Sequence, residues 1–332
     1  MKKVFFLLLI AALLLTGCDG LKNPGAAETP EAVIASTSVR LPVGYIPNVQ
    51  FAPLYTAIEK GFFRHQGIEV TMDYNMETDI VALVASNDIP FAVVSGEQVL
   101  LARGQGLPVV YVMNWYHNYP VGVMAKSGQE IRTPASLKGK KIGLPGRFGT
   151  SYIGLLALLD SAGLTEGDVT LDSIGFNQIE SLVSDLDQAV VIYLANEPHV
   201  LAQKGYDVDV IAVSDYVPLV GNGLITNEQV LKENPDLVRR MVKAVRQGID
   251  YDIEHPEEAY QISLNYVEGL AEADQALQQN ILNASIGLWK SDTPGRTERS
   301  AWKQMQDILL KSGLMKKSVD LDDVFSNEYL PK

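Results

Sequence analysis

Aromatic and amide side chains recur in the segments that follow the predicted β-strands of this chain. Flat rings stack on a flat ligand, whereas amides both donate and accept hydrogen bonds along a heteroatom-rich edge. A cleft with several rings and few polar groups is typical of a site for a heterocycle. The residues that we expect to bind such a ligand are Asn48, Phe51, Glu97, Trp115, Tyr119, Phe148, Tyr152, Asn177, Tyr193, Asn196, Glu197 and Tyr216.

The rings and the polar groups of this set have separate expected roles. The side chains expected to stack or form walls are Trp115, Tyr119, Phe148, Tyr152 and Tyr193, and those expected to bind the polar edge are Asn48, Asn177, Asn196 and Glu197. A structural role stays open for each single residue, because rings at strand ends often cover a core and Asn is a common turn residue. An anionic ligand fits poorly, since Arg147 is almost the only cation in these segments.

The sequence gives little evidence for a catalytic site or a metal site. Glu97 and Glu197 could form a pair of catalytic carboxylates, but no nucleophile or metal ligand accompanies them, and a position at a helix start explains each equally well. Residues 146–151 are glycine-rich but lack the lysine and the spacing of a phosphate loop. The four histidines are far apart and there is one cysteine, so we expect neither a metal nor a cofactor.

Apolar periodicity predicts two successive series of alternating strands and helices. The predicted strands cover residues 39–46, 68–74, 91–94 and 109–115 in the first series, and 141–144, 169–174, 189–194 and 208–213 in the second. Helical periodicity is expected over residues 51–63 near the start, and it dominates residues 228–266 and 271–288 near the end. Two further strand-like runs, 120–125 and 221–226, could cross between the series.

These elements predict an α/β fold with two lobes, each a mostly parallel sheet flanked by helices, joined by a hinge of two crossing strands. Lobe I is expected to comprise residues 39–123 plus 223–332, and lobe II residues 124–222. Ligand sites in such sheets lie beyond the carboxyl ends of the strands. The two lobes would therefore share one cleft.

The amino-terminal segment predicts export and lipid attachment. Residues 1–17 combine two lysines, a short apolar run and small residues, as in a cleaved signal peptide. Leu15-Thr16-Gly17-Cys18 resembles the lipobox of bacterial lipoproteins, which implies lipidation at Cys18, and residues 18–38 have the composition of a flexible stalk. The chain carries a formal net charge of −13, which disfavours nucleic acid and leaves the lipid as the expected means of membrane attachment.

Several motifs resemble those of one protein family. They are Gly44-Tyr45-Ile46-Pro47-Asn48, Ala52-Pro53-Leu54-Tyr55, Glu59-Lys60-Gly61-Phe62-Phe63, Leu137-Lys138-Gly139-Lys140-Lys141-Ile142-Gly143 and Gly175-Phe176-Asn177-Gln178. Together they resemble the thiamine-precursor and riboflavin-binding (NMT1/THI5-like) substrate-binding proteins, over essentially the whole chain after the stalk.

The resemblance implies a type II periplasmic binding protein, active as a monomer, which closes on a small molecule and delivers it to the permease and ATPase of an ABC importer. Iron-dependent pyrimidine synthases share this fold, but they carry a cysteine-rich segment that this chain lacks. The resemblance therefore favours a binding protein, while a vitamin-precursor enzyme and a sensor module stay open as other classes.

Within the family, the sequence favours riboflavin as the ligand. Ser95-Gly96-Glu97-Gln98 and the run Y-L-A-N-E-P at residues 193–198 are closer to the riboflavin binders. A thiamine pyrimidine precursor of the formylaminopyrimidine type is the nearest alternative. Alkanesulfonate and nitrate are less favoured, because the predicted loops are aromatic and acidic.

Overall fold

The computed structural model describes residues 36–331, so the predicted signal peptide, Cys18 and most of the predicted stalk lie outside the described residues. Two five-stranded sheets organise the described chain. The first sheet consists of β1 (Thr37–Gly44), β2 (Ile68–Asn75), β3 (Ala92–Ser95), β4 (Val109–Asn114) and β10 (Asn222–Asn227), in the order β2-β1-β3-β10-β4. The second consists of β5 (Val121–Lys126), β6 (Lys141–Leu144), β7 (Thr170–Ser173), β8 (Ala189–Tyr193) and β9 (Val208–Ala212), in the order β7-β6-β8-β5-β9.

Both sheets are mostly parallel, with one strand in the opposite direction. In the first sheet β1 is parallel to β2 and β3, whereas β10 is antiparallel to β3 and β4. In the second sheet β6 is parallel to β7 and β8, whereas β5 is antiparallel to β8 and β9. The predicted α/β architecture is confirmed, and the two sheets follow the two predicted series. The predicted lobe boundaries stay a prediction.

The chain crosses between the sheets beside the two predicted crossing strands rather than through them. β5 lies wholly in the second sheet and β10 wholly in the first, because each pairs with two strands there. The crossings are made by residues 115–120 and 213–221. The first is tied to neighbouring strands at both ends, since Leu194 N donates to Pro120 O over 2.8 Å and Trp115 N donates to Asn222 O over 3.0 Å, and the second is tied at its end, where Gly96 N donates to Gly221 O over 3.2 Å.

Helices cover both sheets. They are α1 (Ala52–Glu59), α2 (Phe62–His65), α3 (Glu77–Ala85), α4 (Gly96–Gly104), α5 (Gly149–Ser161), α6 (Gln178–Val183), α7 (Glu197–Gln203), α8 (Glu228–Glu233), α9 (Pro235–Glu254), α10 (Pro256–Ser263), α11 (Gln275–Trp289) and α12 (Arg299–Lys311). Within residues 36–331, none of them is both long enough and apolar enough to cross a membrane.

Helix α9 fixes the position of α1, and with it the turn that carries Asn48 and Phe51. Pro235 begins α9 and the Asn234 side chain accepts a hydrogen bond from Leu237 N, as expected for a helix start. At Gly248 an added Cβ would lie 2.1 Å from Pro53 O, so only glycine allows the two helices to approach this closely. The first turn of α1 is thereby held against a buried helix.

Two helical predictions differ from the structure. The single helix expected over residues 51–63 is two helices, because the chain turns at Gly61 with a φ of +73°. Helix α12 was not expected, since its charged residues obscure a narrow apolar face. It places Trp302 in the core, with ring centroids 5.1 Å from Tyr111 and 5.6 Å from Phe325.

Candidate functional site

Large apolar side chains are exposed at the carboxyl ends of parallel strands in both sheets. Tyr45 follows β1, Met76 follows β2, Phe148 follows β6, Phe176 follows β7 and Tyr216 follows β9. Their exposed fractions range from 45% to 67%. Exposed apolar groups gathered at one place mark binding surfaces more often than isolated ones do. This edge of each sheet is therefore the candidate site, where the sequence placed it.

The two edges face each other through Tyr45 and Phe176. Their ring centroids lie 5.7 Å apart, with the planes tilted by 58°. Tyr45 has a φ of 93°, a conformation that a bulky side chain rarely adopts. Such a backbone costs about 1–3 kcal/mol and is commonly retained where function requires it. The loop after β1 therefore holds the Tyr45 ring toward the second sheet at an energetic cost.

Glu197 supplies a buried polar group on the second sheet, at the first position of α7. It is 8% exposed, and its Oε2 accepts a hydrogen bond from Tyr193 N over 2.9 Å. Burial raises the pKa of Glu197 to about 7, although the backbone N–H groups of Glu197 and Tyr193 and the Asn196 side chain oppose the rise. Burial and the nearby Glu197 charge also raise the pKa of Tyr45. The charge of Glu197 on the second sheet thus acts on Tyr45 of the first.

An aromatic cluster lies on the first sheet beside this edge. Trp115 is edge-on to Phe51 at 6.2 Å and to Trp289 at 6.1 Å, and it is stacked on Tyr116 at 6.4 Å. Phe51 also contacts Tyr74, at 5.9 Å. Phe51 and Tyr74 are half-buried, whereas Trp115 is buried. Phe51 and Tyr74 are therefore the rings of this cluster that a ligand can contact. The indole Nε1 of Trp115 is buried without a hydrogen-bond acceptor.

A second buried cluster joins the two sheets beneath the edge. Ser95 Oγ is hydrogen-bonded to Glu77 and lies 2.6 Å from Glu97 Oε1. Thr150 Oγ1, at the start of α5 on the second sheet, donates to the same Glu97 oxygen over 3.2 Å. Glu97 was predicted to face the ligand, but it is 0% exposed here and belongs to this junction.

Four other predicted residues have partners that account for their polar groups. The Asn48 side chain accepts from Gln50 N and donates to Ile46 O, each over 2.8 Å, and so forms the turn before α1. Asn177 Nδ2 donates to Ile174 O over 2.8 Å. The other two residues are tyrosines. The Tyr152 hydroxyl is hydrogen-bonded to Glu166, and the Tyr119 hydroxyl donates to Thr150 O over 2.9 Å. These contacts favour a structural role for the four.

The structure therefore divides the predicted set. Phe148 and Tyr216 are exposed at the edge, Tyr193, Asn196 and Glu197 surround the start of α7, and Phe51 and Trp115 form part of the aromatic cluster. Tyr45, Phe176 and Glu77 were not among the predicted residues. The first two lie in motifs that the sequence singled out, Gly44-Tyr45-Ile46-Pro47-Asn48 and Gly175-Phe176-Asn177-Gln178. No local pattern marks Glu77.

Comparison with known proteins identifies relatives of this chain. Residues 48–259 match the sequence model of the family described as NMT1/THI5 like. The riboflavin-binding protein RibY of Chloroflexus aurantiacus is 36% identical over 99% of this chain and 98% of its own length. A formylaminopyrimidine-binding protein of Halalkalibacterium halodurans is 30% identical over 96% of this chain and 97% of its own. A more distant relative, the 4-amino-5-hydroxymethyl-2-methylpyrimidine phosphate synthase THI11 of Saccharomyces cerevisiae, is 26% identical over 66% of this chain and 68% of its own.

The fold is that of periplasmic binding proteins. The crystal structure of the periplasmic aliphatic sulphonate binding protein SsuA from Escherichia coli superposes with a TM-score of 0.69, over 86% of this chain and 91% of that one, at 14% identity. The nearer relatives RibY and the formylaminopyrimidine binder are both binding proteins by name. On the extent of the model match and of these identities, the chain belongs to the NMT1/THI5-like family.

Proposed function

We propose that this chain is the solute-binding component of an ABC importer and that its ligand is riboflavin. The observation that carries the proposal is the meeting of exposed rings from both sheets, Tyr45 and Phe176, next to the buried carboxyl of Glu197. The identity to RibY over nearly the whole chain supports the same ligand.

Glu197 is suited to the polar edge of a flavin. The pyrimidine-dione ring of riboflavin presents an N–H donor beside carbonyl acceptors, and a carboxyl group can pair with both when it is protonated. A Glu197 pKa of about 7 makes both protonation states accessible near neutral pH. Because its Oε2 is held by Tyr193 N, the orientation of the carboxyl is fixed before the ligand arrives.

The rings of the site are numerous enough for a tricyclic ligand. Tyr45 and Phe176 can close over the flavin from opposite sheets, while Phe51 and Tyr74 form a wall on the first sheet. Contact from both sheets means that the ligand binds best when the lobes are closed, which is the condition for ligand-driven closure. The unpaired Nε1 donor of Trp115 lies behind this wall.

The charges at the edge do not favour a sulfonate or a nitrate. Arg147, the cation that follows β6, is paired with Glu166, with 2.9 Å between Nη1 and Oε2. The buried charged group close to Tyr45 is the acid Glu197. An anion would meet a carboxyl rather than a free cation.

A formylaminopyrimidine-type precursor is the second candidate, because the carboxyl of Glu197 also matches an aminopyrimidine edge and because one relative is named for that ligand. Thermal-shift measurements against riboflavin, formylaminopyrimidine and an alkanesulfonate separate the candidates. Riboflavin should raise the melting temperature most. A shift produced by the sulfonate alone would contradict the proposal.

The proposed role includes no chemical step. Glu97 is buried and Glu77 half-buried at the sheet junction, and residues 36–331 contain no group of three or more His, Cys, Asp or Glu placed to hold a metal ion. Incubation with riboflavin or a pyrimidine should return the ligand unaltered. Formation of a product would favour a vitamin-precursor enzyme, and a neighbouring sensor gene without a permease would favour a sensor module.

We also propose that the protein is exported and attached to the membrane by a lipid at Cys18. Closure on a ligand serves an importer only if the protein faces the side from which the ligand comes. Incorporation of labelled fatty acid into the wild-type chain, and its loss in Cys18→Ser, is the expected result. Equal labelling of both chains would contradict an anchor at Cys18.

Replacing Tyr45 or Phe176 by alanine should weaken riboflavin binding about fivefold in each case, since a stacked ring contributes about 1 kcal/mol. Tyr45→Phe should retain most of the affinity, because it keeps the ring. Leu186→Ala is the matched control, since Leu186 is 63% exposed and follows α6 away from the edge. Unchanged affinity in both ring variants would remove this ring pair from the site.

A further inference from the structure

At the junction beneath the edge, the buried carboxyl of Glu97 and the half-buried carboxyl of Glu77 share one hydroxyl. Glu77, at the start of α3, accepts from Ser95 N over 3.1 Å and from Asn222 Nδ2 over 3.2 Å, and is also hydrogen-bonded to Ser95 Oγ. Glu97, in the first turn of α4, lies 2.6 Å from the same Ser95 Oγ. One serine hydroxyl thus links two acids.

If both carboxyl groups are ionised, the two contacts of Ser95 Oγ have one hydrogen too few to be hydrogen bonds. A serine hydroxyl has one proton and can donate to one carboxylate. The contact with the other carboxyl is a hydrogen bond only if that carboxyl donates to Ser95 Oγ. Glu97 Oε2 and Asn222 Oδ1 are also buried without a partner, so acceptors already exceed donors in this cluster. The two contacts of Ser95 Oγ therefore point to a proton on the pair.

The surroundings do not offer a compensating charge. Within residues 36–331, no lysine, arginine or histidine is hydrogen-bonded or ion-paired to either carboxyl. The titratable groups that face the pair are phenols: Tyr111 on β4, Tyr119 before β5 and Tyr193 at the end of β8. Burial and the Glu97 charge raise the pKa of Glu77 to about 8, and burial raises the pKa of Glu97.

We propose that Glu77, Ser95 and Glu97 hold one shared proton at the junction of the two sheets, and that loss of this proton at alkaline pH loosens the junction. The second sheet takes part through Thr150 Oγ1, which donates to Glu97. This proton site exists in the protein without ligand, so it goes beyond the proposed transport role and does not depend on it.

The sign of the pH effect follows from the raised pKa. In the unfolded chain glutamate titrates near 4.3, whereas the folded pair keeps its proton to about pH 8. The folded state binds the proton more tightly, so stability falls as pH rises from the unfolded pKa through the folded one. The last part of this fall, above about pH 8, belongs mainly to this pair, because the pKa values of Glu197 and Asp252 are raised only to about 7.

Infrared difference spectra and thermal unfolding of the unliganded protein test the proposal. The wild-type spectrum at about pH 7 should contain the carbonyl stretch of a protonated buried acid that is lost on raising the pH and is absent from Glu97→Gln. The wild-type melting temperature should fall by several degrees between about pH 7 and 9, and that of Glu97→Gln should fall less. Glu130→Gln, whose side chain is 83% exposed, is the matched control and should behave as wild type.

Two results would overturn the proposal. The carbonyl band and the pH dependence could persist unchanged in Glu97→Gln, in which case the proton belongs elsewhere. Alternatively, the melting temperature could respond to replacing sodium by tetramethylammonium and not to pH, which would place a cation between the acids. Glu197 and Asp252 also have pKa values raised to about 7, so the titration is repeated in Glu197→Gln and Asp252→Asn; a band that persists in both and is lost near pH 8 supports the pair even if Glu97→Gln or Glu77→Gln does not fold, and its absence contradicts it.

Discussion

Replacing Glu197 by alanine is expected to weaken riboflavin binding by about 10- to 100-fold. The carboxyl is buried and oriented by Tyr193 N, so it reaches the ligand without being reordered. A hydrogen bond to a charged or ionisable partner contributes about 1.5–3 kcal/mol, and each 1.4 kcal/mol changes a dissociation constant about tenfold. Quenching of flavin fluorescence during titration measures the change directly.

Two further variants show whether the effect comes from hydrogen bonding. Glu197→Gln keeps an acceptor and gains a permanent donor, so we expect it to lose about tenfold or less. Glu254→Ala is the control, because that side chain is 74% exposed at the end of α9. Melting temperatures close to that of the wild type would exclude unfolding as the cause. Wild-type affinity in Glu197→Ala would show that this carboxyl does not bind the ligand.

Asp252→Asn is expected to stabilise the protein at alkaline pH by about 2 kcal/mol and to change its stability little near pH 4. Asp252 lies on α9, facing α1, and is 0% exposed, and neither of its carboxyl oxygens has a hydrogen-bond partner of normal geometry. Burial raises its pKa to about 7, with the Thr56 hydroxyl opposing part of the rise. The folded protein therefore favours the protonated acid.

The pH window for Asp252 follows from the same pKa. Unfolded aspartate titrates near 3.9, so the contribution of Asp252 to wild-type stability should fall as pH rises from about 4 to about 7 and then stay constant. Asparagine cannot ionise and should not show this fall. Urea unfolding of both proteins at about pH 5 and pH 8 measures the difference.

Asp250→Asn is the matched control for Asp252, on the same helix. Asp250 is 44% exposed and paired with Arg246, so its loss should cost less than about 1 kcal/mol. An equal stability change for Asp252→Asn at both pH values would show that Asp252 is ionised throughout. In that case an unidentified group must compensate its charge.

The alternating strands and helices could be predicted because each has its own local apolar pattern. β8, with the sequence A-V-V-I-Y, is buried in the middle of the second sheet, as an uninterrupted apolar run suggests. Helix α12 escaped prediction because its burial depends on Tyr111 and Phe325, which lie far away in the sequence. The separation of α1 from α2 depends on the conformation of one glycine, Gly61.

The strand ends in the sequence indicate the edge that carries the candidate site, but they do not indicate the role of every residue. The edge, Glu197 and the Trp115 cluster follow from the rule that ligands bind at the carboxyl ends of strands. Asn48 and Asn177 resemble ligand-binding amides in sequence, but their side chains are used by their own turns. The contact of Tyr45 with Phe176 joins residues from different sheets, so no local pattern could reveal it.

The roles of Glu77 and Glu97 were even harder to predict from local sequence patterns. Glu97 could be singled out because it follows β3, whereas Glu77 follows a different strand and is linked to Glu97 only through Ser95. Position relative to a strand end does not tell a ligand-facing acid from a buried one. That distinction depends on Thr150 and Asn222, which pack over the pair from other elements.

Equilibrium titration of the purified protein with riboflavin, followed by recovery of the ligand, tests the central claim most directly. We expect one flavin bound per chain with a dissociation constant of about 1 µM or lower, at least about tenfold tighter than formylaminopyrimidine, and a flavin recovered unaltered. Absence of riboflavin binding under conditions in which a pyrimidine or a sulfonate binds, or conversion of the flavin to a product, would contradict it.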